Sequence, residues 1–365
     1  MTGGFNTWWL LPFGILVASA LLALSIIVFR PALVNRTFAE VGLRAPSEVA
    51  TVDCSGASAT DYACYQQRYQ DLVRGSGVEG AFVDLKDQYE NNGFVRAQCH
   101  QMTHIIGRAA VDLYGDMSGA YSRGDNFCWS GYYHGAMEAV VAKIGPDKIV
   151  EEANTICADM REDQERSFYH YNCVHGLGHG FMGIHQNELF ESLETCDTLE
   201  DAFESESCYS GVFMENVMAQ FNPSNSTKYL KADQPLYPCT DVEDKYKSEC
   251  YKMQTSYALE VQGNDFAKVF DLCKGVDDEY RTTCYQSLGR DASGQSVSDV
   301  DKTRDICMLG EDDEAWSNCI QGAVMDFISY YSDDTQAKEL CESLDADLRD
   351  ECFQTANDFY RIFQT

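Results

Sequence analysis

The chain has 365 residues, of which 58 are acidic and 27 are basic, giving a formal net charge of -31. Negative charge on this scale argues against nucleic acid or an anionic membrane surface as a partner. Hydrophobic residues make up 45% of the chain, which is enough for a substantial core.

The N-terminal segment predicts a membrane anchor. Residues 8–29 form a run of 22 positions without a charged side chain, a length that spans a bilayer with some tilt. Trp8 and Trp9 stand where interfacial aromatic residues are enriched. A cleaved signal peptide is the alternative, but a basic n-region is missing and the apolar run is too long. We therefore predict a signal-anchor transmembrane helix within residues 1–30 and a juxtamembrane linker over residues 31–60.

Two features of the sequence disagree on which side of the membrane the body lies. Arg30, Arg36 and Arg44 follow the apolar segment and no Lys or Arg precedes it, so the positive-inside rule places the body in the cytoplasm. The 16 cysteines, an even number, fall into regular pairs that indicate disulfides in an oxidising compartment. Because long domains translocate largely regardless of flanking charge, we expect the body on the extracytoplasmic side.

Residues 61–230 form a predicted histidine- and cysteine-rich helical domain. All seven histidines of the chain lie between residues 100 and 185. Three pairs of residues stand four positions apart, so each pair shares one helix face and can bind one ion. These pairs are His100 with His104, His134 with Glu138, and His175 with His179.

This spacing predicts a buried metal site. The predicted ligands are His100, His104, His134, Glu138, His175 and His179, a set that exceeds what one zinc ion needs and suits two ions. Imidazole is a ligand for zinc, copper or iron. Glu138 and Glu215 are the predicted general bases of a metal-activated reaction. His170 and His185 lie off this spacing and are predicted not to bind metal.

The glycines and two cysteines of this region support the same prediction. An interior helical glycine costs about 1 kcal/mol relative to alanine, yet several of them surround the histidines. We expect these glycines to let helices or a substrate approach closely. A Cys99–Cys128 disulfide would hold the helix of His100 beside the helix of His134.

Residues 231–365 repeat with a period of 34 residues. The first cysteines of successive pairs are Cys239, Cys273, Cys307 and Cys341, each 34 positions after the last. Each pair is separated by 10 or 11 residues, and one cysteine at the end of a first helix meets another early in a second helix. The predicted pairs in this half and before it are 54/64, 157/173, 196/208, 239/250, 273/284, 307/319 and 341/352.

This period and stapling resemble cysteine-rich Sel1-like and tetratricopeptide helical repeats. The likeness covers residues 235–365 and extends loosely to residues 150–235. It implies an all-α fold of disulfide-stapled α-hairpin repeats, an α/α solenoid. Together with the apolar segment, the sequence predicts this solenoid behind a single N-terminal transmembrane helix.

The resulting functional hypothesis is a membrane-anchored, extracytoplasmic metalloenzyme with a mononuclear or dinuclear His/Glu site, hydrolytic or oxidative. One alternative is a non-enzymatic repeat scaffold with a protein or glycan partner on its surface. Another is a protein that captures or delivers metal without turnover. The sequence contains no HExxH, GxSxG or P-loop motif, and its paired cysteines leave no thiol nucleophile.

Overall fold

The computed structural model describes residues 52–56, 60–115, 117–121, 123–161, 168–219, 227–296, 299–331 and 333–363. These residues belong to one compact unit, Val52–Thr365. The predicted anchor over residues 8–29 lies outside the described ranges. Within those ranges, no helix has both the length and the apolar character that a bilayer crossing requires.

The described ranges contain helices joined by turns and loops and no strand, which confirms the prediction of an all-α fold. The helices, in chain order, are α1 (Tyr62–Asn91), α2 (Gly93–Ala97), α3 (Cys99–Tyr114), α4 (Met117–Tyr121), α5 (Gly131–Ile144), α6 (Pro146–Ile156), α7 (Phe168–Ile184), α8 (Leu189–Cys196), α9 (Ala202–Met218), α10 (Asp244–Val261), α11 (Phe266–Lys274), α12 (Asp278–Gln295), α13 (Val300–Cys307), α14 (Asp313–Tyr331), α15 (Thr335–Glu342) and α16 (Ala346–Phe363). A short 3₁₀ helix, Ala158–Met160, lies between α6 and α7.

The long helices lie side by side in the order of the chain. Each of α1, α3, α5, α7, α9, α10, α12 and α14 packs on the next long helix, and the row ends at α16. The shorter helices α8, α11, α13 and α15 each contact the long helices before and after them. This packing of stacked helical hairpins is compatible with the predicted cysteine-rich repeats.

The repeat around Cys273 shows how the sequence produces a hairpin. The Asp265 carboxylate caps the start of α11 by accepting from the Lys268 backbone N–H. After a short loop, α12 begins with acidic residues at Asp278 and the following position, where the helix dipole favours negative charge. The reversal of the chain brings Cys273 against Cys284, and the two form a disulfide.

Eight disulfides join all 16 cysteines and confirm the predicted pairing. They are Cys54–Cys64, Cys99–Cys128, Cys157–Cys173, Cys196–Cys208, Cys239–Cys250, Cys273–Cys284, Cys307–Cys319 and Cys341–Cys352. In the chain-entropy model, each bond that closes a loop of this size stabilises the fold by about 3 kcal/mol. This density of disulfides is typical of proteins that mature in an oxidising compartment.

Helices α3 and α5 cross where a glycine of each meets the backbone of the other. A Cβ added at Gly107 would lie 2.0 Å from the Tyr132 carbonyl oxygen, and one added at Gly135 would lie 2.1 Å from the His104 carbonyl oxygen. The same reciprocal approach recurs between α7 and α9 and between α12 and α14, at Gly178, Gly211, Gly289 and Gly322. Because the two backbones of each pair lie this close, side chains on the facing sides of the two helices can contact each other.

Trp129 and Asp326 join distant parts of the row of helices. The Trp129 indole Nε1 donates to Asp326 Oδ1 at 2.8 Å, and the Trp129 ring centroid lies 4.7 Å from that of Tyr330. Asp326 and Tyr330 belong to α14, whereas Trp129 lies just before α5. The row of helices therefore curves until α14 meets the segment that leads into α5.

Candidate metal centre

Helices α3, α5 and α7 bring together the five histidines that the sequence singles out, and we call this group the histidine cluster. Its members are His100, His104, His134, His175 and His179. Neighbouring ring centroids lie 4.5–5.5 Å apart. All but His100 are at most 3% exposed. The spacing of four within α3 and α7 puts each pair on one face, and the glycine crossings bring those faces together.

In the first pair, His100 and His104 direct their Nε2 atoms at each other, 3.0 Å apart. His100 Nδ1 lies 2.9 Å from the Cys128 carbonyl oxygen, and His104 Nδ1 lies 2.6 Å from Glu138 Oε1. A carbonyl oxygen and a carboxylate can only accept, so each Nδ1 carries the proton. Both Nε2 atoms are therefore left with lone pairs that face a shared space.

The second pair repeats this arrangement. His175 Nε2 and His179 Nε2 are 3.2 Å apart, and His179 Nδ1 lies 2.9 Å from Glu215 Oε2. His175 Nδ1 lies 2.6 Å from Ser210 Oγ, and the Ser210 hydroxyl in turn donates to the Ser207 carbonyl oxygen. Ser210 therefore accepts from His175, and the Nε2 lone pairs again face each other.

His134 lies between the two pairs with the opposite tautomer. Its Nε2 is 3.3 Å from Asn172 Oδ1, and the Asn172 amide nitrogen donates to the Phe168 carbonyl oxygen, which fixes the orientation of the amide. His134 Nε2 therefore carries the proton. His134 Nδ1 is buried and has no hydrogen-bond partner among the described residues, although buried polar atoms are normally satisfied.

The donor set fits a metal ion. Two nitrogens that each bind zinc at 2.0–2.1 Å are separated by about 3.3 Å at a tetrahedral angle, close to the separation within each pair. Three groups have ligand atoms within 4.8 Å of one another: His100, His104 and His134; His134, His175 and His179; and Glu138, His179 and Glu215. Carboxylates or carbonyls on the outer nitrogens are the partners that fix metal-binding imidazoles in proteins.

Burial lowers the pKa of four of these imidazoles, those of His100, His104, His134 and His175, which favours the neutral form that binds metal. Burial, followed by repulsion from His104, lowers the pKa of His100 to about 3. Burial and the neighbouring imidazoles also hold the pKa of His134 and of His175 well below the ordinary value. Burial alone would raise the pKa of Glu138, but His104 and Arg108 outweigh it and hold that pKa below its usual range.

A cavity of about 530 Å³ adjoins one side of the histidine cluster. Its walls include both carboxylates that the sequence singles out and one histidine of the cluster, together with three polar residues that the sequence did not single out. The polar wall residues are Tyr62, Gln101, Arg108, Glu138, His179 and Glu215. The predicted general bases therefore lie where a substrate could reach them.

His170 and His185 lie outside the cluster. His170 Nε2 is 2.8 Å from Glu204 Oε1, and Arg161 also donates to both oxygens of that carboxylate. His185 Nε2 is 3.0 Å from Thr195 Oγ1. Both histidines have partners that tie neighbouring helices together.

Sequence reasoning did not identify Arg108, Asn172 or Ser210 as parts of this site. Arg108 stands four residues after His104 on the same helix face, and its guanidinium donates to Glu138 Oε2. The continued spacing of four was the signal that could have found it. Nothing in the sequence marks Asn172 or Ser210, because their roles depend on helices packing across each other.

Comparison with protein-family models, with curated proteins and with solved structures finds no significant match to this chain. By its fold and its site, the chain is an all-α, disulfide-stapled protein whose buried His/Glu groups could hold a metal ion.

Proposed function

We propose that this protein is a metal-dependent enzyme whose metal centre is the histidine cluster. One observation carries the proposal: in two separate pairs, each histidine is fixed at Nδ1 and directs an Nε2 lone pair at its partner. Without an ion, the two Nε2 lone pairs within each histidine pair face each other at hydrogen-bonding distance, with no proton between them. An ion held by the Nε2 atoms removes that repulsion.

The cavity favours an enzyme over a protein that only captures or delivers metal. A storage site needs ligands but no space for a second molecule, whereas a catalytic site needs both. Here the space adjoins His179 and is lined by Arg108, Glu138 and Glu215. Glu138 and Glu215 position His104 and His179 through their Nδ1 atoms, and the all-nitrogen cluster suits zinc, copper or iron.

We also propose that the protein is anchored by residues 8–29, with its body on the extracytoplasmic side. The eight disulfides support this side of the membrane. The net charge of -31 disfavours nucleic acid as a partner. A protein or glycan partner would bind to the surface of the helical repeats at residues 231–365.

Metal analysis of the purified full chain tests the proposed function. We expect the wild-type protein, loaded with zinc, copper or iron and then dialysed, to keep at least one ion per chain. The double variant His175→Ala, His179→Ala should lose most of that metal, because it removes one complete Nε2 pair. His185→Ala is the matched control, since it removes a histidine of the same helical region that lies outside the cluster.

The reaction itself is tested with the same three proteins. Metal-loaded wild-type protein and His185→Ala should turn over ester, phosphoester or amide substrates, or consume oxygen, at rates that the double variant does not reach. Equal metal content in the wild-type protein and the double variant would refute the metal centre. Tight metal without turnover of any substrate class would favour metal capture instead.

A further inference from the structure

Glu138, His179 and Glu215 form a group of possible ligands that differs from the rest of the centre. The Glu138 and Glu215 side chains are 22% and 20% exposed, whereas most of the histidine cluster is almost completely buried. All three residues line the cavity. Their ligand atoms lie within 4.8 Å of one another.

His179 belongs to this group and to the histidine cluster at once. Its Nε2 faces His175 Nε2 at 3.2 Å, while its Nδ1 faces Glu215 Oε2 at 2.9 Å on the opposite edge of the ring. An imidazole that gives up its Nδ1 proton, here by way of Glu215 to the solvent of the cavity, can bind one ion through each nitrogen. The ring is therefore placed to bridge an inner ion and an outer ion.

Glu138 can take part although both of its oxygens already accept hydrogen bonds. His104 Nδ1 and Arg108 each occupy one oxygen. An ionised carboxylate offers about four lone-pair positions, so two remain for an ion. Arg108 and His104 thereby hold the carboxylate in place without consuming its capacity to bind metal.

The two groups match the two kinds of metal site known in proteins. Structural sites are closed, whereas catalytic sites have about three protein ligands and an open position. The histidine cluster supplies five nitrogens, four of them on almost completely buried side chains, and is the more closed of the two. Glu138, His179 and Glu215 supply one nitrogen and two oxygens beside a cavity of about 530 Å³, which leaves room for further ligands.

We propose that a second divalent cation binds to Glu138, His179 and Glu215, bridged by the His179 ring to the ion in the histidine cluster, and that this outer ion contacts the substrate. The inference rests on the proposed metal centre and assigns its two parts different roles. The inner ion supports the fold of the site, and the outer ion faces the cavity. Mixed oxygen and nitrogen ligation suits zinc, iron or manganese at the outer position.

The charges of the cavity identify the class of substrate. Two carboxylates, the Arg108 guanidinium and the bridging His179 imidazolate give the outer site a net charge of -2, which a divalent cation neutralises. Arg108 uses part of its five donors on Glu138 and Tyr62, which leaves others available. A substrate with an anionic oxygen, such as a carboxylate or a phosphate ester, would bind to the cation and to the free guanidinium donors.

Copper titration of the chelator-stripped full chain tests the second site. We expect the wild-type protein to bind two Cu²⁺ ions, with an electron paramagnetic resonance intensity below that of two isolated ions, because a shared imidazolate couples their spins. Glu215→Gln should bind one Cu²⁺ ion with the full intensity of an isolated ion. Glu138→Gln should also bind one, so that a folding defect in either variant alone does not decide the result.

Glu191→Gln is the matched control, because Glu191 lies beside His185 at 3.7 Å outside the centre. It should bind two coupled ions, as the wild-type protein does. One ion in the wild-type protein, or two ions in both Glu215→Gln and Glu138→Gln, would overturn the second site and leave the proposed function standing. No bound ion in the wild-type protein would instead refute the metal centre itself.

Discussion

One hydrogen-bond acceptor decides which ring nitrogen of each histidine carries the proton, and therefore which nitrogen keeps its lone pair available. The Cys128 carbonyl oxygen accepts a hydrogen bond from His100 Nδ1 because Cys128, Trp129 and Ser130 all have left-handed backbone conformations, with φ of 56–57°. For residues other than glycine, this conformation costs roughly 1–2 kcal/mol each. Strain of this kind is retained where the surrounding structure needs it, and here the turn holds the carbonyl against the imidazole.

The pKa of His100 predicts how the metal-free protein responds to acid. The folded-state pKa is about 3, against an ordinary value of 6.5. Below pH 6.5 the unfolded chain therefore binds a proton that the folded protein excludes, so stability falls as the pH falls. For this histidine alone, the free energy of unfolding should fall by about 1.4 kcal/mol for each pH unit below 6.5.

Urea unfolding of the chelator-treated protein, with and without His100→Asn, measures this loss. Asparagine can still donate to the Cys128 carbonyl oxygen, but it does not titrate. The advantage of the wild-type protein over the variant should therefore shrink between neutral pH and about pH 5. A difference that stays constant with pH would show that His100 is not held neutral by burial.

At the residue scale, the sequence identified which histidines meet but not how they are held. Pairs spaced by four positions must share a helix face, so His100 with His104 and His175 with His179 were predictable. The left-handed turn before α5 was not, because Cys128, Trp129 and Ser130 are not residues that favour it. The tautomer of His134 depends on Asn172, whose contact arises only when α5 and α7 pack together.

At the scale of helices, glycine at the crossings sets the distance between the ligand-bearing faces. Within α7, a Cβ at Gly178 would lie 2.2 Å from the Cys208 carbonyl oxygen, whereas a Cβ at Gly183 meets nothing within 4 Å. Both positions carry glycine in the same helix, so replacement by alanine changes the helical propensity in the same way at each. Of the two, only the position of Gly178 lacks the space for an added side chain. The two positions provide a matched pair on one helix.

We predict that Gly178→Ala destabilises the protein and weakens metal binding. The added methyl group must push α9 away from α7, at a cost of about 1–3 kcal/mol for overpacking, and Glu215 on α9 moves away from His179. Gly183→Ala should instead be neutral or stabilising by up to about 1 kcal/mol. Urea unfolding and metal stoichiometry of both variants check this, and equal effects would show that the crossing at Gly178 is not tight.

The helices were the most predictable feature, because their signals are local. The cysteine period of 34 residues predicted the hairpins, and the structure confirms the Cys273–Cys284 bond that closes one of them. The sequence also suggested that glycines near the histidines permit close approach. It could not show that α12 and α14 cross in the same way at Gly289 and Gly322, where no histidine draws attention to them.

At the scale of the whole molecule, the curvature of the helix row was not predictable. Trp129 and Asp326 are far apart in the sequence, and neither belongs to a motif. Asp326 is 5% exposed, and its Oδ1 accepts the Trp129 indole N–H while its Oδ2 has no hydrogen-bond partner among the described residues. The contact that joins α14 to the segment before α5 thus includes an incompletely satisfied buried carboxyl group, which is costly when it is ionised.

We predict that Asp326→Asn stabilises the protein at high pH but not at low pH. Burial raises the pKa of Asp326 to about 6, against an ordinary value of 3.8. Between these values the folded protein binds a proton that the unfolded chain releases, so the contribution of Asp326 to stability falls as the pH rises through this window. Asparagine cannot ionise, and its Oδ1 can still accept from Trp129. The variant should therefore gain up to about 3 kcal/mol over the wild-type protein above pH 6 and show no such gain near pH 4.

Urea unfolding of the two proteins across this pH range measures the gain, and Trp129→Phe provides the comparison. That variant removes the Trp129 hydrogen bond to Asp326 Oδ1, which leaves Ser293 as the remaining donor to the carboxyl group, at a cost of about 1–3 kcal/mol. The loss of stability of Trp129→Phe relative to the wild-type protein should be greatest at high pH, where the carboxyl group is charged. If Asp326→Asn is less stable than the wild-type protein above pH 6, the ionised carboxylate must hold α14 to the segment before α5 more strongly than burial opposes it.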